Sequence, residues 1–480
     1  MKRILGFTAL TALLTTSLFV GVNPSYAGAS KSQYLLAFQK NLPSDYESQI
    51  KKAGGKVLRA IPEIGGVEVE TSDPSFLKNL KKSSGVTAAN AEFVHKLDYK
   101  KIDQQAADGQ PVTDIPQPED TDSYWDYQWD MQRLTNEGKS YDIESGGTDD
   151  GKHKAVVGVI DSGIDFNHPD LKGNFLGGQN FVPAGVDDSE TGDPNDVLDR
   201  DGHGTHVAGS IAGNGKVKGV GPNLGIRSYR VFPENGNAPT AWIVDAVVQA
   251  TNDHVDVINM SIGGFDAIAR YNFQGGSYND IADVLLWKRA IQYAVKNNVT
   301  VVVAAGNESL NLNNPTEIAD YMRNEYGVDY KGAAMEVPGQ IPGVITVSSS
   351  NKWSKDEIAF YSNYGTKSID VAAPGGDNGP VYAQTRDLMQ RDFHYRTLST
   401  WPTYLPSYFT SNLHGYALLH GTSMASPKVA GIAGVIKAQN PSLNPAQVTA
   451  LIKKTAIDLG KKGTDQYFGS GEANAYNALK

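Results

Sequence analysis

Five short stretches of the 480-residue chain set polar side chains among glycines: Ile160-Asp161-Ser162-Gly163, Asp201-Gly202-His203-Gly204-Thr205-His206, Ser261-Ile262-Gly263-Gly264, Ala305-Gly306-Asn307-Glu308 and Gly421-Thr422-Ser423-Met424. A serine hydroxyl is a weak nucleophile until an imidazole takes its proton, and that imidazole needs a carboxylate to hold its tautomer and stabilise its charge. Asp161, His203 and Ser423 supply these parts in the order Asp, His, Ser, one of the known orders for a hydrolytic triad. Glycines on both sides of His203 and before Ser423 permit tight turns and close approach of a peptide. After Ser423, Met424–Ile432 reads as a helix whose early Pro427 stands where a missing N–H costs little, which puts Ser423 at a positive helix end. Its backbone N–H can then help to bind an oxyanion, with the Asn307 side-chain amide as second donor.

Taken singly, each residue has a plainer reading. Asp161 can form a strand-end turn, His203 and His206 at spacing i, i+3 can be metal ligands or packed imidazoles, Ser423 can cap a helix and Asn307 can serve a turn. Their joint occurrence favours nucleophilic catalysis. The absence of cysteine excludes disulfides, Cys-ligated zinc, iron–sulfur clusters and thiol catalysis, and no His-Glu-x-x-His run supports a zinc site. Neither Gly-x-x-x-x-Gly-Lys-Ser/Thr nor a helix-opening Gly-x-Gly-x-x-Gly occurs, so the glycines are not a phosphate cradle. A net charge of −10 argues against a nucleic-acid partner, which would demand a basic surface.

The elements that must position these residues read as two domains. From Tyr124 onward, apolar runs such as Ala155–Ile160, Val255–Met260 and Val299–Ala305 alternate with helical stretches such as 240–254 and 283–298, the pattern of a mostly parallel, doubly wound α/β sheet flanked by helices. Each run ends beside one of the glycine-framed residues, where chemistry gathers in such sheets. Earlier, strands at 34–38, 56–61, 66–70 and 87–94 with helices at 45–53 and 73–82 spell β-α-β-β-α-β, a small α+β ferredoxin-like domain. Residues 102–123, with three prolines and no aromatic, form a protease-accessible linker. Residues 1–27 carry Lys2 and Arg3, an apolar run and Ser25-Tyr26-Ala27, which reads as a secretory signal cleaved after Ala27; the alternative, an uncleaved anchor, is disfavoured by the threonines of the run and by Pro24. An exported monomer with no membrane attachment after signal removal is expected. Residues 31–101 carry a net charge of +4 and residues 102–480 carry −16, a split that is either accidental surface composition or a complementary field for docking of the small domain on the large one.

At the quoted residues, and at Val371-Ala372-Ala373-Pro374-Gly375, the chain from about Tyr124 to its end resembles the subtilisin-like serine peptidases. The resemblance implies Asp161, His203 and Ser423 as catalytic triad, with the first histidine of His-Gly-Thr-His as the base, and Asn307 in the oxyanion hole. It implies that Ser261, Ile262, Gly263 and Gly264 form an edge strand pairing with extended substrate, and that Ala304, Ala305 and Gly306 line the first specificity pocket. It also implies that residues 28–101 are an inhibitory pro-domain that chaperones folding and is cut away at a site in the 102–123 linker, leaving the 124–480 peptidase domain.

Within the family, Trp129-Asp130-Met131, Glu137–Tyr141, Tyr229-Arg230-Val231-Phe232 and Ala305–Asn311 resemble the peptidases that remove lantibiotic leaders. The expected function is a secreted, autoprocessed serine endopeptidase acting on polypeptides. Its alternatives are a selective leader peptidase rather than a broad protease and, from another class, a non-catalytic module that binds peptides by β-augmentation. A leader peptidase of this likeness implies a basic residue before the cut and a carboxylate at the pocket floor, for which Glu308, Glu317 and Asp320 are candidates by position. No metal or other cofactor is required. Calcium is the one ion left open: Asp170 matches a ligand position of the family's high-affinity site, but the short loop Ala212–Lys218 carries two lysines where oxygen ligands are needed. The acidic run 187–193 could bind an ion but reads first as solvated charge.

Overall fold

A computed structural model describes residues 31–80, 85–97, 123–148, 151–273, 276–407 and 413–480. The signal segment and the linker fall outside these residues, except for Ser123 of the linker.

The small domain follows the expected order. Strands β1 (Ser32–Phe38), β2 (Gly55–Ile61), β3 (Gly66–Thr71) and β4 (Val86–Ala91) form an antiparallel sheet in the order 2-3-1-4, with helices α1 (Tyr46–Ala53) and α2 (Phe76–Leu80). Side chains of a strand alternate between faces, yet Leu35, Leu36, Ala37 and Phe38 are all fully buried. Both faces are covered: Leu36 and Phe38 pack on Ile50 and Phe76 of the domain's own helices, whereas Leu35 and Ala37 join the core of the large domain.

The single strand expected over 87–94 is two. It breaks at Glu92-Phe93, and β5 (Val94–Lys96) leaves the small sheet to pair antiparallel with β9 (Asn237–Pro239) of the large domain. The break is explained by the helices beneath it, α5 (Thr240–Asn252) and α6 (Ile281–Lys296), whose first N–H groups have no intrahelical acceptor. A Glu92 carboxylate oxygen accepts from the Ala241 N–H at 2.8 Å, and the Asn90 side chain accepts from the Ala282 N–H at 2.6 Å. Asp283 in turn accepts from the Asn90 amide and, at 3.4 Å, from the Phe93 N–H.

The large domain is built on a seven-stranded parallel sheet in the order β17-β16-β14-β10-β6-β8-β7, where β6 is Val156–Asp161, β7 Phe175–Asn180, β8 Gly225–Arg230, β10 Val257–Met260, β14 Thr300–Ala304, β16 Val344–Ser350 and β17 Val371–Pro374. Outside it, β11 (Gly264–Ala267) pairs with β15 (Ala334–Val337), β12 (Tyr271–Phe273) with β13 (Gly276–Tyr278), and β18 (Thr397–Thr400) with β19 (Tyr416–Leu419). The chain winds from β6 toward β8 and β7, then crosses to β10 and continues the other way, so the winding reverses between β6 and β10. Ligand clefts open at that point, at the carboxyl ends of the strands.

Three more helices matter for the site: α3 (Trp129–Thr135), α4 (His203–Ala212) and, after α7 (Pro315–Tyr326) and α8 (Gly379–Thr385), the long α9 (Thr422–Gln439), every residue of which is buried except its last. Lys428 on α9 is fully buried and its Nζ lies 2.9 Å from Asp130 of α3. Removing one partner of a buried pair leaves the other charge uncompensated. In a Ser423→Ala background, Asp130→Ala should therefore lose about 3–5 kcal/mol of stability in urea unfolding. A loss below 1 kcal/mol would show that Lys428 finds solvent or another partner.

Candidate active site

The adjacent strands β6, β10 and β14 deliver Asp161, Ser261 and Asn307 to one end of the sheet, directly or one to three residues beyond their ends. His203 opens α4. Gly202 before it has φ +106°, and a side chain there would run into the Trp401 ring; one at Gly204 would meet the Gly163 carbonyl oxygen at 2.1 Å. These close approaches press His203 against the end of β6. Its Nδ1 lies 2.8 Å from an Asp161 carboxylate oxygen, and both side chains are 1% exposed. Burial disfavours the imidazolium, but the charge and hydrogen bond of Asp161, backed by Asp201 and Asp199, more than offset it, so His203 titrates above the ordinary histidine value.

His206, the other histidine at this spacing, does not join the site. Its Nε2 lies 3.1 Å from the Ala417 carbonyl on β19, and burial lowers its pKa to about 3, the mark of a packed neutral imidazole. Among the described residues, no group of three His, Asp or Glu is arranged to hold a metal ion. Asp170 accepts from the Val217 N–H at 3.0 Å and from the Tyr416 hydroxyl at 3.2 Å.

Ser423 is the second residue of α9, so its N–H belongs to the helix-start donors that lack an intrahelical acceptor. Pro427 stands deeper than expected, at the sixth helical position. Its missing N–H would have bonded the Ser423 carbonyl, and that carbonyl accepts instead from the Ser261 hydroxyl at 2.8 Å. The Ser423 hydroxyl donates at 3.3 Å to the Ser261 carbonyl. Ser261 thus holds the serine from below, a role its place in the sequence did not reveal. Asn307 Oδ1 accepts from both the Thr422 N–H (2.9 Å) and hydroxyl (3.0 Å), which leaves its Nδ2 as the end available to an oxyanion.

His203, Ser423, Thr422, Asn307, Ser261, Ile262, Gly263, Gly264, Ala304 and Gly306 line one cleft. Two expectations need correction. Ala305 is not in the lining: it is fully buried in a second apolar cluster with Phe265 and Leu312. Ser261–Gly263 are not a strand; β10 ends at Met260 and only Gly264 enters a ladder, opposite Val337. Of the carboxylates proposed for the pocket floor, only Glu308 lines the cleft. Glu317 accepts from the Asn311 N–H near the start of α7, and Asp320 is half exposed and pairs with Arg323. A residue missed in the sequence, Glu336 of β15, lines the cleft while 1% exposed, and burial together with the Glu308 charge pushes its pKa well above the carboxylate range. Its strand carried no glycine-framed signal. The acidic run was also misread in part: Glu190 is fully buried in an ion pair with Arg230, whose Nε donates to the Ser162 carbonyl beside Asp161.

The sheet, the cleft and the order of these residues define a serine peptidase of the subtilisin type, and a family model described as the subtilase family matches residues 152–471. The chain belongs to that family. Its relatives include the nisin leader peptide-processing serine protease of Lactococcus lactis subsp. lactis, 34% identical over 68% of this chain, which spans 46% of that protein's length. They also include the epidermin leader peptide-processing serine protease of Staphylococcus epidermidis, 30% identical over 91% of this chain and 90% of that one. Among solved structures, the epidermin leader peptide processing serine protease of Staphylococcus aureus superposes with a TM-score of 0.74 at 27% identity, covering 94% of this chain and 98% of that chain.

Two outcomes are expected of the site. A base must be neutral to accept a proton, so kcat/KM should fall on the acid side through a pKa above the ordinary 6.5 of histidine; an acid limb below that value would mean that the carboxylates do not act on His203. Asn307→Ala should lower kcat by about 10²–10³ with KM little changed. A change confined to KM would move Asn307 to substrate binding.

Proposed function

We propose that this chain is an exported serine endopeptidase made as a zymogen, and that its substrates are leader-bearing precursor peptides. The carrying observation is the 2.8 Å contact of the buried Asp161 with His203, which lines one cleft with Ser423 and Asn307. Ser423 Oγ attacks the scissile carbonyl carbon as His203 Nε2 takes its proton, with Asp161 holding the Nδ1–H tautomer. The tetrahedral oxyanion rests on the Ser423 N–H and the Asn307 amide. The amine leaves with the proton from His203, and water repeats the sequence on the acyl-enzyme. Ser423→Ala should abolish turnover and leave an unprocessed precursor; a normally matured, active variant would refute the assignment.

Two features support the zymogen reading. The chain leaving the small domain runs through β5 into the cleft, where Lys96 and Leu97 stand among the lining residues and the Leu97 N–H donates to the Gly236 carbonyl at 3.0 Å. Across the interface, Arg59 meets Asp245 at 2.5 Å. Residues 28–101 therefore act as intramolecular chaperone and inhibitor, with maturation in or just before the 102–123 linker, release by the signal peptidase after Ala27 and a monomeric product. Among the described residues, no helix is long and apolar enough to cross a membrane. A purified 28–101 fragment should inhibit the mature enzyme in trans, more weakly as salt rises, because salt screens the long-range attraction between a basic small domain and an acidic large one. Absence of inhibition would sink the pro-domain role.

The leader-peptidase reading is favoured over a broad protease by the relatives' printed activities and by the acids of the cleft. A substrate ammonium or guanidinium entering beside Glu308 and Glu336 would draw Glu336 into its ionised form. Glu336→Gln should then cut the preference for a basic over a neutral residue before the scissile bond by about 10–100-fold, the worth of one charged hydrogen bond. Unchanged selectivity in paired chromogenic peptides, or self-cleavage scattered through 102–123 in place of a single start at Lys101 or Ile102, favours the broad protease.

A further inference from the structure

A second carboxylate is buried directly behind the Asp161–His203 pair. Asp199 is fully buried and lies four residues before His203. One of its oxygens accepts from the Ser162 hydroxyl (2.9 Å), the Asp201 N–H (3.0 Å) and the Gly202 N–H (2.8 Å). The other accepts from the Thr205 N–H (2.9 Å) and hydroxyl (2.6 Å). All five partners are donors, so the acceptor-only ionised form is the one that the nest is built for. Burial, and after it the neighbouring Asp201, raises the Asp199 pKa above the ordinary aspartate value, and the donors aimed at the carboxylate limit that rise.

The five donors lie on the two segments that must meet. Asp201 and Gly202 lead into α4, Gly202 as its N-cap, Thr205 follows His203 in the first turn, and Ser162 is the residue after Asp161, just beyond β6. Ser162 closes the circuit twice more: its hydroxyl accepts from the Gly204 N–H at 2.9 Å, and its own N–H donates to an Asp161 oxygen at 2.8 Å. The Asp199 carboxylate is therefore the common partner of the strand end that presents the acid and the turn that presents the base. Its charge also belongs to the field that raises His203.

We propose that Asp199 is a positioning residue of the reaction: through Ser162, Gly202 and Thr205 it holds His203 in register with Asp161, and its charge stabilises the imidazolium formed when Ser423 is deprotonated. The proposal rests on the serine peptidase reading, so its test has one arm that needs no turnover.

In Asp199→Asn the shape is kept, but the charge and one face of the acceptor set are lost. With a chromogenic peptide, kcat should fall about 10–100-fold, as it does when the group orienting a functional histidine is lost or reacting atoms are misplaced by about 1 Å, with KM within about twofold. The acid limb of kcat/KM should move to lower pH. Ser162→Ala removes the link and keeps the charge, so it should lower kcat less and leave the acid limb in place. In the double variant, the Ser162→Ala loss should disappear into that of Asp199→Asn.

In the Ser423→Ala background, NMR titration of the His203 ring should show its pKa lowered by Asp199→Asn, whether or not the protein is a peptidase. Wild-type kcat in Asp199→Asn, or a kcat loss with both the acid limb and the His203 titration unmoved, overturns the proposal. If Asp199→Asn yields no folded protein, Ser162→Ala with kcat within about twofold of wild type overturns it, and a larger loss at unchanged KM sustains it.

Discussion

The contact between Asp161 and His203 joins residues 42 positions apart on different elements, and both side chains are withdrawn from water. A buried carboxylate is costly unless hydrogen bonds surround it, and a buried imidazole drifts toward its neutral form unless a carboxylate faces it. Each residue thus makes the other tolerable in the interior. Much of the large domain's local structure serves that arrangement: the glycines that let α4 approach β6, the Trp401 ring over Gly202, and the reversal of winding between β6 and β10 that opens a cleft beside the pair.

The small domain answers a similar constraint. Helices α5 and α6 begin with unsatisfied N–H groups on a face of the large domain, and Glu92 and Asn90 supply the missing acceptors while Leu35 and Ala37 close the core above them. Docking therefore combines helix capping with apolar burial. The cost is the regularity of the fourth strand, which breaks so that its last residues can pass to β9 and the cleft. The same helix ends that accept the small domain would lie open to water without it.

Two buried ion pairs tie stretches distant along the chain to the site. Asp130, in Trp129-Asp130-Met131, meets Lys428 on the helix that carries Ser423, and Lys428 also donates to the Met424 carbonyl at 3.0 Å. Arg230, in Tyr229-Arg230-Val231-Phe232, meets Glu190 and reaches the Ser162 carbonyl. Stretches that look unrelated along the chain thus brace the serine and the aspartate from behind, and a charge buried without its partner would be expensive at either place.

The amino-acid sequence by itself determined the two-domain order, the ferredoxin-like and parallel α/β patterns, and the residue types at Asp161, His203, Asn307 and Ser423, because apolar periodicity and glycine-framed polar residues are local signals. Its misreadings have a common cause. That Ala305 turns into the core, that Ser261 compensates for Pro427 and that the strand at 87–94 splits all depend on what lies opposite in space, where side-chain direction and hydrogen-bond partners are settled. Glu336 was passed over and Glu190 read as solvated for the same reason: along the chain a carboxylate looks solvated, and only packing shows which ones are sealed from water. Chemistry could be read from residue types because reactivity is a property of the group, whereas the register of acid, base and nucleophile was decided by tertiary structure, since hydrogen bonds of 2.8 Å between distant elements exist only once the sheet, α4 and α9 have packed.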